Sequence, residues 1–245
     1  MLFIKKTINI IFIIAVFTIF FNQKLYSEEL QKKTAEQYYL DGMYYYTDRS
    51  YTSATEQFEA LTKNYPYSNY TYQSLLMEAY LNYINDELVK VSGVVAVFVK
   101  LYPLDKELPY MMYLDAMSHY KQIKDETKNL NSVRSAMEIF SLLIEKYPEI
   151  KYDIDAKKKM DFLYKIQQLN DIRNAEFYQD KGDYITAIRR YTGMFNIYKG
   201  YLNKDIEERA LCRIINLAKM LEMNEMSDKY KKILIEKYQN NKCFE

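Results

Sequence analysis

Glycine and proline are scarce, with 5 Gly and 4 Pro in 245 residues. A sheet-rich fold turns often, and tight turns consume both residue types. Their scarcity predicts helices joined by short connections. Tryptophan is absent, and histidine occurs once, as His119. One His and two Cys (Cys212 and Cys243) make no zinc-ligand cluster. An excess of charge is missing too, since 34 Lys and Arg face 33 Asp and Glu. The basic footprint of a nucleic-acid binder is therefore not present, and no nucleic-acid partner is expected. The longest basic run, Lys157-Lys158-Lys159, lies between Asp155 and Asp161 and reads as a solvated helix face. No G-x-S-x-G elbow, Gly-rich phosphate loop or H-E-x-x-H helix occurs. His119 stands alone beside Tyr120 and reads as structural. The chain is expected to be a binding protein, not an enzyme, with no cofactor and no metal.

What the chain does have is apolar content, 49%, enough to bury a core. It also has 27 tyrosines. A tyrosine ring is apolar and its tip polar, which suits helix–helix seams and peptide-binding surfaces.

The first residues carry an export pattern. Lys5 and Lys6 precede an apolar stretch from Ile8 to Phe21, and polar residues follow. Residues 1–27 read as a signal peptide. The apolar run is shorter than the ~20 residues that a spanning helix needs. Cleavage after the small Ser27 fits, although Leu25 is a poor match to the small-residue rule. An uncleaved anchor is the alternative. Either way, residues from 28 onward are expected outside the cytoplasm. No Cys lies near this segment to accept a lipid. Cys212 falls in an apolar helical pattern and reads as a small core residue. Cys243 falls in a polar tail, 241–245. Export permits a disulfide between them, and nothing in the sequence requires one.

A repeat runs through residues 28–240. In the first copy Tyr38 is followed by Gly42, Tyr45, Ala54, Phe58, Leu61 and Pro66. Those are the spacings of a tetratricopeptide unit of about 34 residues, with Asp41 where a Leu is usual. Gly42 and Ala54 would let two helices approach, with Tyr45, Phe58 and Leu61 filling the gap. Pro66 would stop the second helix. The comb recurs as Val91, Val95, Phe98 before Tyr102-Pro103, and as Ala136, Phe140, Leu143 before Tyr147-Pro148. It appears without Pro at Ala187, Tyr191, Met194, Tyr198, and weakened near Ser227, Leu234 and Tyr238. First helices are marked by Ala79 and Tyr83, Ala116 and Tyr120, Ala175 and Tyr178, and by Leu211, Ile215 and Ala218. The expected fold is all-α, a tetratricopeptide-repeat superhelix of about five helical hairpins. Ala116 to Ala136 spans 20 positions against 12 from Gly42 to Ala54. The excess predicts an extended loop over Lys124–Asn131. Residues Asp153–Lys181 hold no Gly or Pro and predict one long helix.

Several segments resemble the BamD family, the tetratricopeptide lipoproteins of the outer-membrane β-barrel assembly machinery. They are Phe58-Glu59-Ala60-Leu61 leading into Tyr65-Pro66-Tyr67-Ser68-Asn69-Tyr70, the stretch through Tyr152, Asp155 and Ala156, and Ala175-Glu176-Phe177-Tyr178 followed by Lys181-Gly182-Asp183-Tyr184 and Ala187 to Arg190. The resemblance covers roughly residues 32–240. It implies a scaffold on the periplasmic face of the outer membrane that binds BamA and nascent outer-membrane proteins and promotes their folding and insertion. It implies an N-terminal groove for unfolded outer-membrane proteins, which here would use Tyr65, Tyr67, Tyr70, Tyr72 and Tyr83. It also implies a C-terminal contact with the POTRA region of BamA, which here would use Arg190 with Lys181 and Arg189. Other lipoproteins of the machinery are further candidate partners. The family's lipidated Cys at the mature N-terminus has no counterpart. The alternative is another periplasmic tetratricopeptide adaptor, serving cell-envelope or division machinery. Such adaptors usually carry a coiled coil before the repeats, and only Ser27–Lys33 stands there.

Overall fold

The computed structural model describes residues 33–124, 130–199, 201–238 and Cys243. The expected signal segment 1–27, and the tail apart from Cys243, lie outside the described residues. Those described are all-helical, with ten helices and no strand. They are α1 (Ala35–Thr47), α2 (Tyr51–Asn64), α3 (Thr71–Ile84), α4 (Leu88–Leu101) and α5 (Leu108–Lys121). Then come α6 (Leu130–Lys146), α7 (Asp153–Asp180), α8 (Tyr184–Ile197), α9 (Lys204–Met220) and α10 (Asn224–Lys237). The chain divides into two compact units, one ending at Leu81 and the other beginning at Asn82.

In the first unit α1 packs on α2. Thr34 caps α1 reciprocally: its hydroxyl accepts from the Gln37 N–H, and its own N–H donates to the Gln37 side chain. A Cβ on Gly42 would stand 2.7 Å from Cε1 of Phe58, so the close approach expected from the sequence is real. In the second unit α5 packs on α6, α7 on α8 and α9 on α10. Successive pairs also touch, α4 on α5, α6 on α7 and α8 on α9, and α7 reaches α9. These are the neighbour contacts of stacked helical hairpins.

The apolar comb is the core. Ala54, Phe58, Leu61, Val91, Phe98, Ala136, Phe140, Leu143, Ala187, Tyr191 and Leu234 are all fully buried. The small residues expected on the first helices, Ala79, Ala116, Ala175 and Ala218, are fully buried too. The long helix is present as α7, 28 residues ending one short of Lys181.

Each second helix ends the same way. Tyr65, Tyr102, Tyr147, Tyr198 and Tyr238 each stand just past the last helical residue and donate their N–H four residues back. Three of the five are followed by Pro. Tyr198 and Tyr238 stop without one, so the absent Pro and the weak fifth comb do not alter the hairpin. Within hairpins, four first helices close through a left-handed residue: Arg49, Asp86, Gly182 and Glu222. The next N–H then reaches five residues back, from Ser50 to Tyr45, Glu87 to Asn82, Asp183 to Tyr178 and Met223 to Ala218. This is a Schellman closure. Only one of the four uses glycine, which is how the chain turns so often with so few.

Two expectations need correction. The loop set at Lys124–Asn131 is shorter at its C-terminal end, because Leu130 and Asn131 already belong to α6. Residues 125–129 lie outside the described residues. Cys212 is partly exposed, not a core residue, and forms a disulfide with Cys243 at a Cα–Cα distance of 5.3 Å. The bridge ties the tail to α9.

Candidate functional site

The turn between α7 and α8 brings charged and aromatic side chains together. Phe177 and Tyr178 close α7 with rings 5.6 Å apart, edge to face. Phe177 is 52% exposed, and Ile185 on the next helix 59%. The Lys181 ammonium lies 4.3 Å over the Phe177 ring. The Arg190 guanidinium lies 4.6 Å over the Tyr178 ring and stands 3.5 Å from its hydroxyl. Cation and ring attract at such distances. Gly182, at φ 80°, makes the turn that sets Lys181 close to α8. Asp183 caps α8 by accepting from the Thr186 N–H at 3.1 Å. Hydrogen bonds from Thr186 hold the Asp183 carboxyl below its usual range.

Arg189 is also exposed and contacts Thr186 Oγ1 at 3.3 Å. Among the described residues, Lys181, Arg189 and Arg190 have no ion pair. Three cations with an exposed ring and an exposed Ile form a surface able to take carboxylates and an apolar side chain from a partner. Next to it, Glu176 is already claimed by Arg209, whose Nε donates at 3.0 Å.

The five tyrosines expected in a groove are distributed over both units. Tyr65 packs near Tyr38 at 6.4 Å and donates its hydroxyl hydrogen to the Lys33 carbonyl. Tyr70 lies 5.1 Å from Tyr39. Tyr67 is 88% exposed, and Tyr72 on α3 is half-buried. Tyr83 belongs to the second unit, under the Lys121 ammonium at 5.1 Å. Tyr65 and Tyr70 thus spend a ring face on α1, and Tyr67 offers its surface to solvent. Leu40 and Tyr44, one turn apart on α1, are 57% and 67% exposed and were missed in sequence.

His119 does not stand alone after all, since Asp115 lies 3.6 Å from its Nε2 and Ser92 Oγ 3.3 Å from the same nitrogen. Ser92 donates to Asp115 at 2.5 Å. Serine and carboxylate crowd one ring nitrogen, so the imidazole cannot relay a proton between them. The cluster ties α4 to α5. Among the described residues no group of three potential ligands could hold a metal ion, and no helix is long and apolar enough to cross a membrane.

Comparison with known proteins matches residues 31–233 to the YfiO family, described as an outer membrane lipoprotein. A Rickettsia prowazekii protein named outer membrane protein assembly factor BamD is 25% identical over 84% of this chain and 81% of its own length. Proteins of the same name from Neisseria gonorrhoeae, 26% identical over 69% of this chain and 67% of theirs, and Pasteurella multocida, 22% identical over 70% of each, are also similar. The matched span takes in the first nine helices and most of α10, and the chain belongs to the YfiO family.

Proposed function

We propose that the chain is a non-enzymatic component of the outer-membrane β-barrel assembly machinery. It acts on the periplasmic face of the outer membrane as a binding scaffold. The second unit binds the POTRA region of BamA through Arg190, Lys181 and Arg189. The first unit offers Tyr65, Tyr67, Tyr70 and Tyr72 to unfolded outer-membrane proteins. One observation supports this reading above the rest: the family match runs from 31 to 233, and the relatives are named as assembly factors.

The chemistry agrees with it. Arg190 lies over the Tyr178 ring and pairs with no carboxylate among the described residues, which leaves its fork open to a partner carboxylate. The test is binding of the purified chain to the POTRA region of BamA. Arg190→Glu should weaken it about a hundredfold, as expected when a desolvated charge pair becomes a repulsion. Undiminished binding by Arg190→Glu would remove this contact from the reading. No binding by the parent chain would remove the reading itself.

A further inference from the structure

A cleft lies away from the α7–α8 turn. It has a volume of about 540 Å³ and opens where the ends of α8 and α10 meet the start of α9. Phe195, Tyr198, Leu202 and Tyr238 give it an apolar lining. Its one carboxylate, Glu207, is 92% buried, and both oxygens are occupied. Lys237 holds one at 2.6 Å, and the Tyr238 hydroxyl donates to the other at 3.0 Å. Tyr198 is likewise satisfied, because its hydroxyl donates to Asp171. What is left at the mouth is Lys199 and Lys204. Both are exposed, and neither has an ion pair among the described residues.

The charge of this lining is uneven, with three ammonium groups around one neutralised carboxylate. Its size is that of clefts which enclose a ligand, about 300–1,000 Å³. An occupant must bring negative charge for the mouth and an apolar body for the interior. The charged mouth and the apolar interior together match a short peptide that carries carboxylates on either side of one ring.

We propose that this cleft receives an acidic peptide segment of a partner protein that bears one aromatic side chain. The ring enters among Phe195, Tyr198, Leu202 and Tyr238, where edge-to-face contacts are available. The flanking carboxylates meet Lys199 and Lys204. The site is separate from Arg190, and its test requires neither BamA nor an outer-membrane protein.

The chain has no tryptophan, so the emission of a peptide tryptophan reports the peptide alone. The purified chain is titrated with a short peptide holding one Trp between Asp and Glu residues. The same peptide with Lys at the acidic positions is titrated in parallel, and binding of the chain to vesicles containing anionic phospholipid is followed by co-sedimentation. Saturable, blue-shifted emission is expected from the acidic peptide. The basic peptide should bind about tenfold more weakly, since two exposed ion pairs are together worth about a factor of ten. The double substitution Lys199→Glu, Lys204→Glu should produce a similar loss. Both side chains are exposed, and unchanged helical circular dichroism would establish that the variant folds. Equal binding of the two peptides, undiminished binding by the folded variant, or binding to vesicles without binding to the acidic peptide would each overturn the proposal.

Discussion

Tyr113 donates its hydroxyl hydrogen to Asp155 at 2.6 Å, joining α5 to α7 across 42 residues of sequence. The Tyr113 ring packs against Tyr152 at 4.5 Å and edge-on to Phe140 at 6.2 Å. Its apolar body thus fills a seam while its tip finds a carboxylate. Tyr198 with Asp171, and Tyr238 with Glu207, repeat the device. The chain's many tyrosines are in part a seam material that needs no tryptophan. Tyr113→Phe should lower stability by about 1 kcal/mol, the net value of one partly exposed hydrogen bond, as read by urea unfolding. The Asp155 carboxyl, held low first by this hydrogen bond and then by Lys159, should titrate closer to its usual value in the variant.

The same phenols make the fold sensitive to alkali. Burial first, and then the neighbouring carboxylate, push Tyr113, Tyr198 and Tyr238 well above 10, and burial pushes Tyr191 up to about 12. Unfolded tyrosines ionise near 10, so the folded chain holds more protons above that pH. Stability is then fully present below pH 10 and falls as pH rises toward the folded values. Phenolate absorbance should show a set of tyrosines that ionise only together with loss of helical circular dichroism. Smooth ionisation of all of them in a chain that stays folded would contradict this. Asp155 acts at the other end: its contribution is present above about pH 4 and fades below it.

Gly42 and Gly93 should respond in opposite directions to the same substitution. Helix propensity favours Ala over Gly by about 1 kcal/mol. At Gly93 nothing lies within 4 Å of an added Cβ, so Gly93→Ala should stabilise by about that amount. At Gly42 the Cβ would meet the fully buried Phe58 ring, and overpacking costs about 1–3 kcal/mol. Gly42→Ala should therefore destabilise, and adding Phe58→Leu should recover part of the loss. Thermal unfolding of the three variants decides the matter.

The left-handed turns offer a complementary gain. Arg49, Asp86 and Glu222 hold φ of 63°, 64° and 59°. Glycine adopts that region without the steric cost of a Cβ, about 1 kcal/mol. Arg49→Gly and Glu222→Gly should each raise stability by a few tenths to about 1 kcal/mol. A loss of stability in both would mean that these turns are fixed by the side chains and not by the closure.

The Cys212–Cys243 disulfide joins α9 to a residue beyond α10, at a sequence separation of 31. Loop entropy puts its contribution at about 3.7 kcal/mol. Cys243→Ser should lower the unfolding midpoint, and a reducing agent should do the same to the parent chain while leaving the variant unchanged.

The comb residues were legible because hairpin packing demands small and large apolar residues at fixed helical spacing. Ala54, Phe58 and Leu61 announced themselves, as did Ala136, Phe140 and Leu143, and all are buried. The stop at Tyr198 was less visible, since only the Pro that usually follows marks it. The turns at Arg49, Asp86 and Glu222 left no trace, because a left-handed residue is readable only when it is glycine or asparagine. Arg190 was identified by resemblance. Its seat on Tyr178, twelve residues earlier, depends on how α7 and α8 pack, which local spacing does not encode. The basic mouth at Lys199 and Lys204 was invisible for the same reason, because Lys237 and Tyr238 come to it from another hairpin.

The most direct measurement isolates the chain from the envelope of the cell that makes it, in mild detergent, and identifies by mass spectrometry what comes with it. BamA is the expected companion, in comparable amount, with the pair recovered from the outer-membrane fraction and its yield reduced by Arg190→Glu. Recovery without BamA, or in company with division or peptidoglycan proteins instead, would contradict the assignment to outer-membrane protein assembly.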